Sequence, residues 1–134
     1  MRAAVTAWDH VGLRVTDPER SLAFYARLGF EPDPQFSNAR VAEIVAPSGV
    51  RMHLIFNGEP PPGGRNVLMD VAQRWPGYTH AAFVVDSLDD LIAWAAAEGV
   101  CITEGPVDWG RRLTCFLRDP DGNVLEFNQL KTGP

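Results

Sequence analysis

The 134-residue sequence has no apolar run approaching the ~18–20 residues that cross a bilayer. Its opening, MRAAVTAWDH, lacks the apolar stretch of a secretory signal. A cytoplasmic protein without membrane contact is therefore expected. Only two cysteines are present, Cys101 and Cys115, too few for a disulfide framework, and both are expected as reduced thiols. Twelve Lys and Arg residues face 17 Asp and Glu, giving a net charge of −5, and the basic residues form no cluster. That balance excludes the concentrated positive face that nucleic-acid phosphates require. Histidine is scarce as well, at His10, His53 and His80. With 46% hydrophobic and 22% charged residues, the chain has the composition of one globular domain able to bury a core.

An internal repeat organises that domain. A shift of 70 residues lays DHVGLRVTDPERSLAFYARLGF (9–30) on THAAFVVDSLDDLIAWAAAEGV (79–100), matching His10 with His80 and Gly29 with Gly99. A shift of 73 lays APSGVRMHLIF (46–56) on DPDGNVLEFNQ (119–129), matching Gly49 with Gly122 and His53 with Glu126. Each half reads as a strand, a helix and further strands. Residues 10–15 alternate with a strand's period of two. Thr16 or Asp17 caps the first helix, with Pro18 at its first position and Gly29 as its stop; Ser87 and Gly99 play these parts in the second. Strands are expected near 40–46, 51–56, 112–118 and 123–129. The Pro- and Gly-rich residues 57–77 form a connecting loop with a short helical turn over 67–74. One domain over 1–134 thus contains module one at about 8–56 and module two at about 78–129. The fold class is α+β, with paired β-α-β-β-β modules whose curved mixed sheet surrounds a cavity.

Strand parity decides what faces that cavity. Val11, Leu13 and Val15 occupy the helix side of their strand, leaving His10 with Gly12 and Arg14 on the other. Met52 and Leu54 leave His53 inward, with Arg51 and Ile55. Ala81, Phe83 and Val85 leave His80 inward, and Leu125 and Phe127 leave Glu126 inward. Each residue has an ordinary reading alone, as a hydrogen-bonded histidine or a solvated carboxylate. Together, imidazoles and a carboxylate on one side suit a divalent ion such as Zn, Ni, Co, Mn or Fe better than Ca or Mg. Glu43 either joins this face or is an edge-strand carboxylate in water.

These repeats, the inward His10, His53, His80 and Glu126, and the DPDGNVLEF run at 119–127 resemble the vicinal oxygen chelate superfamily. That superfamily includes glyoxalase I, methylmalonyl-CoA epimerase, extradiol dioxygenases, and fosfomycin- and bleomycin-resistance proteins. The resemblance covers Trp8 to Gln129. It implies a metal held by His10, His53, His80 and Glu126, and a lyase or isomerase acting on a small carbonyl compound or thiol adduct through a metal-stabilised enediolate. Glyoxalase I usually carries glutamate at the position of His53, so Glu126 is the expected base; VAEIVAP, around Glu43, resembles the epimerase segment that supplies a second one. The extradiol and fosfomycin enzymes imply an alternative with three ligands, Fe(II) or Mn(II), and His53 as an acid or base. A drug-binding module using Trp75 and Tyr78 is the non-enzymatic alternative. The expected partners are a small-molecule substrate and a second copy of the chain in a homodimer.

Overall fold

A computed structural model describes residues 2–131. Strand β1 (Val11–Arg14) leads into helix α1 (Pro18–Ala26), followed by β2 (Glu31–Pro32), β3 (Val41–Val45) and β4 (Arg51–Ile55). The order then recurs as β5 (His80–Val84), α2 (Leu88–Glu98), β6 (Ile102–Asp108), β7 (Arg112–Arg118) and β8 (Val124–Leu130). The chain divides into two compact units between Glu59 and Pro60. Each unit holds one four-stranded mixed sheet, in the orders β1-β4-β3-β2 and β5-β8-β7-β6, which makes the architecture α+β. No helix among the described residues is long and apolar enough to cross a membrane.

The helix ends follow from their residues. Asp17 accepts a hydrogen bond from the Arg20 N–H at 3.2 Å, with Pro18 at the first helical position, and Ser87 accepts from the Asp90 N–H at 3.1 Å. Gly99 closes α2 at φ 71°, in the left-handed region that a side chain disfavours. Two strands lay outside the expected set, both beside turn-forming residues. Strand β2 is an edge strand of two residues containing Pro32, a residue tolerated at an edge because no ladder donor is needed there. Edge strand β6 contains Gly105 and Pro106 and pairs irregularly with β7. A Cβ at Gly105 would stand 2.5 Å from the Thr114 carbonyl oxygen, so only glycine permits this approach.

Alternation along the strands builds the cores. Ala42, Ile44, Met52 and Leu54 are buried in the first unit with Phe24 and Tyr25 of α1. In the second unit Cys115, Leu117, Leu125 and Phe127 are buried with Leu88, Leu91 and Ala95 of α2, which packs on β7 and β8. Both cysteines are free thiols, and burial pushes the Cys115 thiol upward in pKa.

In the segment before β5, the turn is set by polar side chains. Asp70 N–H donates to the Asn66 carbonyl at 2.8 Å, and the Asn66 amide reaches the Gly122 carbonyl at 3.0 Å. Arg118 grips the Asp70 carboxylate with two bonds, of 2.7 and 2.9 Å. A three-residue 3₁₀ turn lies earlier, at Pro62–Gly64, and residues 67–74 contain a turn without a helix. The Arg118 hydrogen bond is the main cause holding the Asp70 carboxyl below its ordinary range. Asp70 therefore stabilises the fold fully above the ordinary carboxylate range, and the contribution is lost as pH falls through its lowered value. Arg118→Ala is expected to speed hydrogen exchange at the Met69 and Asp70 amides selectively at neutral pH; unchanged exchange there would show that the ion pair does not hold this turn.

Candidate functional site

Parallel pairing of β1 with β4 sets Gly12 opposite His53, and antiparallel pairing of β3 with β4 sets Glu43 opposite His53 from the other side. Gly12, His53 and Glu43 thus form one row across the sheet, on the face opposite Met52 and Leu54. Glu43 is only 9% exposed, and both of its oxygens are engaged. Oε1 lies 2.7 Å from His53 Nε2, and Oε2 accepts from Arg51 NH1 at 2.7 Å. Arg51 also approaches Asp33 at 3.7 Å. A buried carboxylate without such partners would be costly, so the Arg51 and His53 bonds account for its place here.

His10 immediately precedes β1, and its ring stacks on His53 with centroids 3.6 Å apart and planes 13° from parallel. Its Nδ1 lies 2.6 Å from Asp9 Oδ2. That hydrogen bond is the largest of the effects that lower the Asp9 pKa, followed by the charge on His10, with smaller contributions from His53 and Arg51. With Nδ1 of His10 and Nε2 of His53 so engaged, the nitrogens left to face a ligand are Nε2 of His10 and Nδ1 of His53.

In the second unit, parallel pairing of β5 with β8 sets Ala82 opposite Glu126 and His80 opposite Val124. His80 Nε2 stands 3.4 Å from Glu126 Oε1. Thr79 lies at the position equivalent to Asp9 in the 70-residue repeat (9 + 70 = 79), and its hydroxyl meets His80 Nδ1 at 2.8 Å. The repeat therefore engages the same nitrogen in His10 and His80. Glu126 Oε2 accepts from the Asn128 amide at 2.7 Å, and the Thr114 hydroxyl donates to Asn128 Oδ1 at 2.6 Å. Phe116 packs edge-on to the His80 ring, with centroids 5.7 Å apart.

The sequence-expected residues thus fall into two sets, His10, His53 and Glu43 in the first unit and His80 with Glu126 in the second. Among the described residues, no group of three or more His, Cys, Asp or Glu side chains has an arrangement that could hold a metal ion. The donor chemistry nevertheless suits one. Nitrogen and oxygen ligands each about 2.0–2.2 Å from a tetrahedral ion stand roughly 3.4 Å apart, which is the His80–Glu126 separation. Sequence reasoning missed Asp9, Thr79, Thr114 and Asn128 and gave Arg51 no role. Asn128 shares Glu126's strand parity, and Asp9 and Thr79 each precede a repeat histidine; those were the available signals. Trp75 and Tyr78 are exposed at 61% and 93%.

The family model described as the Glyoxalase/Bleomycin resistance protein/Dioxygenase superfamily matches residues 7–127. The chain belongs to this superfamily. It is 28% identical over 127 residues to Virulence protein STM3117 of Salmonella typhimurium, with 90% of this chain and 82% of that protein covered. It is 27% identical over 133 residues to a lactoylglutathione lyase of Haemophilus influenzae, covering 92% of each. A solved structure from the mobile metagenome of V. Pseudocholerae has a TM-score of 0.72 at 23% identity and covers 98% of this chain and 100% of its own, a likeness of fold. The superfamily's own description spans enzymes and resistance proteins.

Within this superfamily member, Glu43 is the polar keystone of the first sheet. Glu43→Ala is expected to lower stability by about 1–3 kcal/mol, because Arg51 and His53 lose their shared partner, and Glu43→Gln by less. Chemical denaturation measures it; equal midpoints for wild type and Glu43→Ala would rule the network out as a stabilising element.

Proposed function

We propose that this superfamily member is a divalent-metal-dependent lyase or isomerase of the glyoxalase I type, acting on a small carbonyl compound or thiol adduct. His10, His53, His80 and Glu126 would hold the ion, drawn from one chain or from the two chains of a homodimer. The observation that carries the reading is the spacing of His80 Nε2 and Glu126 Oε1, 3.4 Å, with each group held from behind by a polar neighbour. When bound, a divalent ion supplies Lewis-acid stabilisation of the negative charge that appears on adjacent substrate oxygens as a proton leaves carbon.

The chain's own residues supply the proton transfer. Glu126 Oε1, at the times when it is not a ligand, would take the proton from the carbon beside the carbonyl and return it to the neighbouring carbon, while Asn128 retains the other oxygen. Glu43, which lies against His53, would be the second acid-base group. The similarity to a lactoylglutathione lyase at 27% identity supports this class without specifying the thiol. The bond from Glu43 to His53 Nε2 favours a second reading, in which His10, His80 and Glu126 alone hold Fe(II) or Mn(II). His53 would then work purely as an acid or base in dioxygenase or resistance chemistry.

Two measurements test the proposal. Purified protein is expected to bind one divalent ion per chain, with His80→Ala and Glu126→Ala abolishing uptake and His53→Ala weakening it. Full occupancy with an unaltered ligand field in His53→Ala would sink the four-ligand set and favour the second reading. In D₂O, stereospecific exchange at the carbon next to the carbonyl of a thiol adduct is expected, falling roughly 10²–10⁴-fold in Glu126→Gln. No exchange with any of several 2-oxoaldehyde thiol adducts would contradict the lyase reading.

A further inference from the structure

The repeat allows the two sheets to be compared position by position, and one buried pair differs in polarity between them. Thr114 on β7 and Asn128 on β8 face each other across the ladder, 2% and 3% exposed. Subtracting the 73-residue repeat gives Val41 and Ile55 (114 − 73 = 41; 128 − 73 = 55), which face each other in the first sheet. An apolar pair therefore fills this place in one unit. A buried amide and hydroxyl carry a desolvation cost that valine and isoleucine do not, so the sheet itself does not demand them.

What the polar pair does is set by its direction. The Glu126 carboxylate only accepts, so the Asn128 amide nitrogen must face it, the amide oxygen must face Thr114, and the Thr114 hydroxyl must donate. The relay ends on Oε2, while Oε1 faces His80. In the first sheet, the residue equivalent to Glu126 is His53, and it is held from across the ladder by Glu43. The position equivalent to Glu43 is Phe116, which offers no hydrogen bond (116 − 73 = 43). The second sheet holds its ligand along the strand instead.

We infer that Thr114 and Asn128 are positioning residues that occupy Oε2 of Glu126, so that Glu126 meets the metal through Oε1 alone. The inference rests on the metal-site reading above. A carboxylate held through one oxygen would occupy one coordination position where two-oxygen ligation would occupy two, leaving the other for a substrate oxygen. Without the relay, Oε2 would lose its Asn128 partner and be free to approach an ion as well.

Cobalt(II) titration of the full chain tests this, followed by competition affinity, visible d–d absorption and the infrared carboxylate stretches of the loaded protein. Thr114→Val keeps the volume and removes the donor; it is expected to weaken cobalt binding about 10–100-fold and to shift the spectra toward two-oxygen ligation with higher coordination number. Thr114→Ser is expected to restore wild-type behaviour. Asn128→Asp replaces the donor to Glu126 with a second carboxylate and is expected to lose at least as much affinity, which carries the test should the valine variant fail to fold. Wild-type affinity and spectra in Thr114→Val or Asn128→Asp would overturn the inference while leaving the metal site standing. Failure of the wild type itself to take up cobalt would overturn the metal reading and this inference with it.

Discussion

Parallel pairing between the first and last strands of each unit is the constraint on which the candidate site depends. A helix must return the chain before the last strand can lie beside the first, and that crossover fixes the strand orders β1-β4-β3-β2 and β5-β8-β7-β6. The residue at the head of the first strand then lies close to an inward residue of the last. His10 stacks on His53 by this route, and His80 reaches Glu126. Antiparallel pairing alone could bring β3 to β4, but not these histidines to their partners.

The second determinant is what each sheet does with its polar face. Four hydrogen-bonding side chains near the candidate ligands are Asp9, Glu43, Thr79 and Asn128, and each engages a different one. These neighbours leave Nε2 of His10 and Nδ1 of His53 unengaged by them, and Nε2 of His80 and Oε1 of Glu126 facing each other at 3.4 Å. Such pre-orientation matters because an imidazole or carboxylate that rotates freely must be ordered when its ligand arrives, and the conformational entropy opposes binding. The two units share this logic while differing in the residues used. His53 is served by a charged neighbour from the adjacent strand, Glu126 by an amide two residues along its own.

Much of this is legible in the amino-acid sequence. Gapless alignment of 9–30 on 79–100 located both helices and their caps, and Asp17, Ser87 and Gly99 act there as capping chemistry requires. Period-two alternation put His10, His53, His80 and Glu126 on the faces opposite Met52, Leu54, Leu125 and Phe127, because burial on one side of a strand dictates the other, and left Glu43 open between this face and water; its pairing opposite His53 places it. Strands β2 and β6 were not legible, since Pro32 and the Gly105-Pro106 pair are turn signals that edge pairing overrode. The short helical turn expected over 67–74 is a single turn, closed by the Asp70 N–H on the Asn66 carbonyl and held by side-chain bonds of Asn66 and Arg118 that periodicity does not reveal. Thr114 and Asn128 escaped notice for another reason. Threonine in a strand is an ordinary β-former, and only the register opposite Asn128 shows that its hydroxyl has a directed role.

The proposed function requires three imidazoles and one carboxylate to serve a single ion. X-ray absorption at the metal edge of the zinc-loaded protein counts those imidazoles directly, through their outer-ring scattering. The account predicts a four-coordinate N/O environment, without sulfur, containing three imidazoles. A spectrum with two imidazoles or fewer would contradict it.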